Sequence, residues 1–256
     1  MAMHLKFVCR FGSSNVGDDN CSPIQYFPFE GFNVEKITLT EQREAFRNGA
    51  LMKNSEDRYV IGGGFFDLKH FKCFAHSRQS VFWGGGIRDI HKNVNWLTRR
   101  QKKLPFSENI RYGVRDYGFG HDWVPCVSCM SPLFDASYEV KRDYGVFQHH
   151  RKEIKLPFDK RVNDNVSFAD AVRFLAESEC VITNSYHGAY WSILLGKRVF
   201  LFNEINQKTR TFKWMPMLCE GDEWRDKKRA PFYPEALEEA RGRNEMFYQE
   251  VLDVLG

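Results

Sequence analysis

The chain has 256 residues, 43% hydrophobic, 27% charged and 15% aromatic, with 23 Phe and a formal net charge of +4. That composition suits a globular fold with a substantial core and excludes a low-complexity chain. The small basic excess is spread along the sequence, which favours an anionic small molecule over nucleic acid as partner.

Seven cysteines at irregular spacing suit free thiols in a reducing compartment. Cys126-Val127-Ser128-Cys129 has no second pair, so no zinc or other metal is expected. The N-terminus lacks a signal-peptide h-region and no apolar run approaches the ~20 residues of a membrane span, so a cytoplasmic location is expected.

In chain order, His4 to Phe11 reads as a first strand. It runs into Gly12-Ser13-Ser14-Asn15-Val16-Gly17-Asp18-Asp19-Asn20, a polar loop punctuated by glycine. Thr40 to Asn48 carries helical spacing. Tyr59-Val60-Ile61 then leads into Gly62-Gly63-Gly64, and Val81-Phe82-Trp83 into Gly84-Gly85-Gly86. Two short apolar strands each ending in three glycines suggest two parallel neighbours whose tips are kept bare, either for the close approach of a substrate or as simple tight βα turns. Asn109 to Val114 is a further strand, leading to Arg115-Asp116. Asp135 to Asp143 is polar and charged, with Lys141-Arg142-Asp143 as the expected hinge between domains.

A second α/β half begins with a strand at Tyr144 to Gln148, followed by His149-His150-Arg151, three potential cations at a strand tip. Pro157 to Asn165 reads as loop. Ser167-x-x-Asp170 opens a helix in capping-box style, with Phe168, Ala171, Val172 and Leu175 as its buried stripe. Cys180 to Thr183 is a buried strand, Asn184 to Gly188 a turn, Ala189 to Leu195 a helix with Gly196 as its C′ stop, and Val199 to Phe202 another strand. Asn203 to Lys213 is a polar loop, and Pro234 to Leu255 a closing helix. The pattern predicts an α/β protein with two Rossmann-like domains facing a cleft, residues 1–140 and 141–256, the second carrying the terminal helix.

Strand, polar turn, helix, strand over 180–202 is a parallel βαβ unit. It puts His187 at the start of a helix, outside the carboxyl end of a strand, where open α/β sheets bind ligands and free helix N–H groups favour anions. A histidine there can donate a proton, hold a phosphate or merely cap the helix.

Together these motifs resemble the polysaccharide pyruvyl transferase family. Ile182 to Ala189, continuing through Leu195-Gly196-Lys197, is similar to that family's strand, Ser-Phe/Tyr-His-Gly loop and helix. Asn15-Val16-Gly17-Asp18-Asp19 resembles its N-terminal Asn-x-Gly-Asp loop. Ile61 to Gly64 and Val114-Arg115-Asp116 resemble its glycine-ended strand and Val-x-Arg-Asp segment, and Lys208-Thr209-Arg210 lies where the family has basic residues. The resemblance implies a fold similar to GT-B glycosyltransferases, with no metal or cofactor and phosphoenolpyruvate as co-substrate. It also implies transfer of pyruvyl to the hydroxyls of a sugar or polysaccharide as a ketal.

On that reading His187 is the general acid and Asp18 orients or deprotonates the acceptor hydroxyl. Asn184, Ser185, Gly188, His149, Arg151, Lys208, Arg210 and Arg115 are expected to bind the donor. Asn15, Gly17, Gly63, Gly64 and Gly85 form the acceptor-side loops. The alternatives are a GT-B glycosyltransferase using a nucleotide-sugar, or a non-catalytic carbohydrate-binding relative.

Overall fold

A computed structural model describes residues 3–38, 41, 44, 47–48, 57–66, 79–87, 110–202, 209 and 211–256. The chain divides into two compact units. The first comprises Met1–Ser13, Asp18–Ser128 and Gly242–Gly256, and the second Ser14–Gly17 and Cys129–Arg241.

The first unit is built on a parallel sheet of β1 (Met3–Val8), β2 (Phe32–Ile37), β3 (Arg58–Gly62), β4 (Phe65–Phe66), β5 (Gln79–Ile87) and β6 (Ile110–Val114). β1 lies between β2 and β3, β5 pairs with β3, and β6 pairs with β5. The short β4 pairs with the far end of β5, at Gly86 and Ile87. Leu5, Phe7, Val60, Ile61, Val81, Phe82 and Trp83 are all fully buried. Such continuous apolar runs mark strands covered on both faces, the hallmark of a parallel sheet. With β4 set aside, the spatial order is 2-1-3-4-5, which places the topological switch point between β1 and β3.

The second unit repeats that order. Its parallel sheet runs β8 (Asp159–Val162), β7 (Arg142–Gln148), β9 (Ser178–Thr183), β10 (Arg198–Phe202), β11 (Met217–Cys219), with the switch point between β7 and β9. Helix α2 (Phe168–Ala176) precedes β9. Ser167 caps it, its Oγ accepting from the Asp170 N–H at 3.0 Å. Helix α3 (Tyr186–Leu194) joins β9 to β10 and is buried at all nine positions, as a helix packed on every side must be. Gly196 follows at φ +65, its N–H donating to Ile193 O at 2.9 Å, so the expected glycine stop is present.

Several elements differ from the sequence reading. The predicted loop 157–165 contains β8, an edge strand. Its Asp159-Lys160-Arg161-Val162 run alternates exposed and half-buried positions and offers no apolar signal. β2 and β11 have no counterpart in the sequence reading, and both are edge strands too. Gly84 to Gly86 do not end a strand: β5 continues through them with an irregularity between Trp83 and Gly85. Of the predicted helix 40–48, Glu41, Glu44, Arg47 and Asn48 are helical and the rest lies outside the described residues.

The boundary between units falls at Ser128/Cys129 rather than after residue 140, and residues 242–256 belong to the first unit. The cause is side-chain packing along helix α4 (Ala236–Leu255). Trp83 Nε1 donates to Asn244 Oδ1 at 2.8 Å, Phe247 stands edge-on to Trp83, and Tyr248 stacks on Phe27 at 4.6 Å. Arg58 Nε donates to Leu255 O at 2.8 Å. Among the described residues no helix is long and apolar enough to cross a membrane.

Candidate functional site

In the second unit the switch point is formed by two loops, one after β7 and one after β9. The loop after β9 folds on its own side chains. Thr183 Oγ1 donates to Phe147 O at 2.5 Å and accepts from the Ser185 N–H at 3.0 Å, tying it to the neighbouring strand β7. Asn184 is 1% exposed and joins the two loops. Its Oδ1 accepts from the His149 N–H at 2.7 Å and its Nδ2 donates to Lys152 O at 2.8 Å. The amide expected to touch the donor is thus spent on backbone, and Asn184 positions the 149–152 loop.

Ser185 is the N-cap of α3, so the helix starts three residues earlier than its spacing predicted and His187 lies inside the first turn rather than ahead of it. The aromatic Tyr186 explains the shift. Its ring stacks on Phe212 at 4.6 Å and is buried, so the polar-looking Ser-Tyr-His segment belongs to the core. Gly188 allows α3 to approach the sheet: a Cβ there would meet Thr183 Oγ1 at 2.4 Å and Phe147 Cδ1 at 2.7 Å. The His187 side chain is held in place by neighbours. The residue is 6% exposed, with the ring 5.2 Å from Trp191 at an interplanar angle of 35° and edge-on to Tyr186.

Asn15 and Gly17 join this unit. Asn15 Oδ1 accepts from the Gly17 N–H at 3.1 Å, an Asx turn. The segment pairs with the loop after β8: the Val16 N–H donates to Asn163 O at 3.0 Å, and the Asn165 N–H to Ser14 O at 2.9 Å.

On the other side of Asn184, His149 and His150 lie with ring centroids 4.3 Å apart. His149 Nδ1 accepts from the Arg151 N–H at 3.2 Å, which assigns its ring proton to Nε2. His150 Nε2 accepts from Arg151 Nε at 3.3 Å, and its Nδ1 faces Asn163 Oδ1 at 3.4 Å. Asn163 also accepts from the His150 N–H at 2.9 Å. The second unit therefore brings together His149, Arg151, Asn184, Ser185, His187, Gly188, Asn15 and Gly17. Lys208 and Arg210 lie outside the described residues. Asn163 and Trp191 take part without having been singled out. A run of Asn163-Asp164-Asn165 was the signal available for the first, and an aromatic four residues after His187 for the second.

The remaining predicted residues belong to the first unit. Asp18 accepts from Arg10 Nη1 at 3.3 Å, and Arg10, expected only as part of the first strand, sits two residues beyond the end of β1. The glycine tips have internal reasons. Gly63 and Gly64 adopt φ +68 and +74, a region that favours glycine. A Cβ on Gly63 would strike Cys21 Sγ at 2.1 Å, one on Gly64 would meet Arg10 Nε at 2.7 Å, and one on Gly85 would meet Phe82 Cζ at 2.4 Å. The space left bare is filled by the protein itself.

Arg115 is buried, its N–H donating to Gly85 O at 3.2 Å. Its charge acts on the thiols of Cys21 and Cys126. Burial dominates there all the same: it pushes Cys9 up to about 12, Cys21 well above its usual value, and Cys126 upward. Among the described residues no group of three or more His, Cys, Asp or Glu side chains could hold a metal ion.

With this geometry in hand, comparison with known proteins gives three findings. No curated protein matches the chain. Among solved structures, an uncharacterized protein from Klebsiella pneumoniae subsp. pneumoniae NTUH-K2044 superposes with a TM-score of 0.50 at 13% identity, over 86% of this chain and 94% of that one, a likeness of fold alone. The family model described as Polysaccharide pyruvyl transferase matches residues 15–205, which runs from the Asn15 turn through the His187 helix to just beyond β10. The chain belongs to the polysaccharide pyruvyl transferase family.

Proposed function

We propose that the protein transfers pyruvyl from phosphoenolpyruvate to two hydroxyls of a sugar or polysaccharide, forming a ketal and releasing phosphate. The observation that carries this reading is the switch point of the second sheet. There Asn184 ties the His149–Arg151 loop to a capped helix whose first turn contains His187. Phosphoenolpyruvate presents a phosphate and a carboxylate, and helix N–H groups with nearby cationic side chains suit both.

In the reaction the methylene carbon takes up a proton, and an acceptor hydroxyl attacks the central carbon and loses its own proton. A second hydroxyl then displaces phosphate and closes the ring, so one proton goes to carbon, two leave oxygen, and the second of those two departs on the released phosphate. His187 supplies the proton that goes to carbon, imidazole being the side chain that most often serves as a general acid. His149, with its proton on Nε2, donates to a donor oxygen. Asp18, held by Arg10, is the acceptor-side carboxylate. No metal or cofactor takes part.

The test is phosphate release from phosphoenolpyruvate across a panel of glycan acceptors, run in EDTA, with wild type and His187→Ala. Loss of a general acid should lower kcat by about 10²–10⁴-fold with donor KM little changed. A folded His187→Ala protein with near-normal turnover sinks the assignment. Stabilisation by UDP- or GDP-sugars and not by phosphoenolpyruvate would replace it with a nucleotide-sugar glycosyltransferase.

A further inference from the structure

Residues Ser14–Gly17 leave the first unit and are built into the second, and Gly17 is a glycine without a backbone reason. It lies in the helical turn α1 (Val16–Asp19) and is not among the residues of positive φ. In a helical turn alanine is the better former. Gly12, five residues earlier, is the opposite case: φ +69 calls for glycine there, and nothing lies within 4 Å of where its Cβ would be.

What Gly17 does is make room. A Cβ on it would stand 2.0 Å from His187 Nδ1, 2.4 Å from Cγ and 2.9 Å from Cβ. The Nδ1–Cγ edge of the imidazole therefore stands against Gly17, and the buried ring has Trp191 and Tyr186 packed around it. The wall it rests on is fixed from behind. The Asn15 side chain closes the turn on the Gly17 N–H, and Ser14 and Val16 are pinned to Asn165 and Asn163 through backbone hydrogen bonds. Asn165 is held at φ 52, the single non-glycine residue of positive φ among those described. Such a conformation persists where its surroundings hold it in place.

We infer that Gly17 is a positioning residue for His187: its missing side chain, backed by the 163–165 loop, sets where the imidazole stands and which of its nitrogens is covered. This rests on His187 being the proton donor proposed above. The Asn-x-Gly-Asp loop then has two separate roles, Gly17 placing the imidazole in the second unit and Asp18 serving in the first.

Gly17→Ala tests it. Relief of a 2.0 Å approach to ordinary contact near 3.5 Å needs a ring movement of about 1.5 Å, and a misplacement of about 1 Å in a reacting group can cost 10²-fold. The expected result is a kcat for phosphate release down by about 10²-fold, a phosphoenolpyruvate KM within a few-fold of wild type, and a shifted pH profile. The His187 imidazole NMR signal, assigned by its loss in His187→Ala, should move as well. Should wild type release no phosphate with any acceptor, the functional reading fails by itself, and the imidazole signal still decides the contact.

Melting temperatures close the cycle. In the His187→Ala background only the 2.9 Å approach to Cβ remains, so Gly17→Ala should lower Tm less there than in wild type. Should Gly17→Ala not fold, the double variant should. A folded Gly17→Ala with an unmoved imidazole signal overturns the inference. So does an equal Tm loss, or failure to fold, in both backgrounds.

Discussion

Asn184→Ala would cut both ties between the loops of the second sheet's switch point. Two hydrogen bonds of 2.7 and 2.8 Å go at once, from a side chain 1% exposed, and the His149 N–H and the Lys152 carbonyl lose their partner. A typical bond contributes about 0.5–1.5 kcal/mol net, and because His149 is half-buried and Lys152 exposed, water reaches the groups left behind, so the two bonds come to roughly 1–3 kcal/mol. For a chain of this size that lowers the melting transition by roughly 2–12 °C. The 149–151 loop is then no longer held beside α3, so KM for phosphoenolpyruvate should rise while kcat at saturation falls less. Asn184→Asp separates positioning from donor contact: one carboxylate oxygen still accepts from His149, the other repels the Lys152 carbonyl, and stability should fall between the two. Thermal melting and steady-state phosphate release are the assays. An Asn184→Ala protein that melts with wild type yet binds the donor poorly would refute the positioning role and return the amide to the donor.

Two further outcomes are expected. Glu177 is held below its usual 4.5, first by the hydrogen bond from Lys141 at 2.6 Å and then by Arg142 at 3.2 Å. Because the folded value is the lower one, its contribution is full above about pH 4.5 and is lost as pH falls through the folded value. The Tm gap between wild type and Glu177→Gln should therefore be widest near neutrality and shrink in acid, and a gap constant from pH 7 to 3 would contradict the pairing. Cys9, Cys21 and Cys126 are buried with raised pKa values. Native protein at pH 8 should leave all three unmodified by iodoacetamide on peptide mapping while urea exposes them, and rapid native labelling would show that their surroundings open to solvent.

The stretch from α2 to β10 was legible because its signals are local. An apolar β-branched run, a capping serine before α2 and a glycine after α3 each act within a few residues of themselves. β2, β8 and β11 were illegible for physical reasons: an edge strand is fixed by its neighbour's backbone, β2 and β8 carry the same exposed charges as a loop, and β11, only Met217 to Cys219, is too short to show a period. The start of α3 was displaced because Tyr186 is buried by Phe212, a partner 26 residues away that no periodicity within 180–195 can report. The histidine motif and its place beyond a strand tip were readable. That Asn184 serves the backbone, or that Gly63 and Gly64 are glycines on account of Cys21 and Arg10, depends on contacts across the fold. Sequence names the residues of such a site more readily than it assigns their duties.

Helix α4 sets an order of assembly. The aromatic cover of the first sheet, with Asn244 on Trp83, Phe247 at its edge and Tyr248 on Phe27, comes from residues synthesised after the whole of the second sheet. A nascent chain carrying residues 1–128 alone lacks the ring cover of Trp83 and Phe27 and the acceptor of the Trp83 N–H. The first unit cannot follow the usual N-terminal-first course. It must wait, partly uncovered, while the second is made, and a gene cut at 128/129 would deliver a first half without its lid.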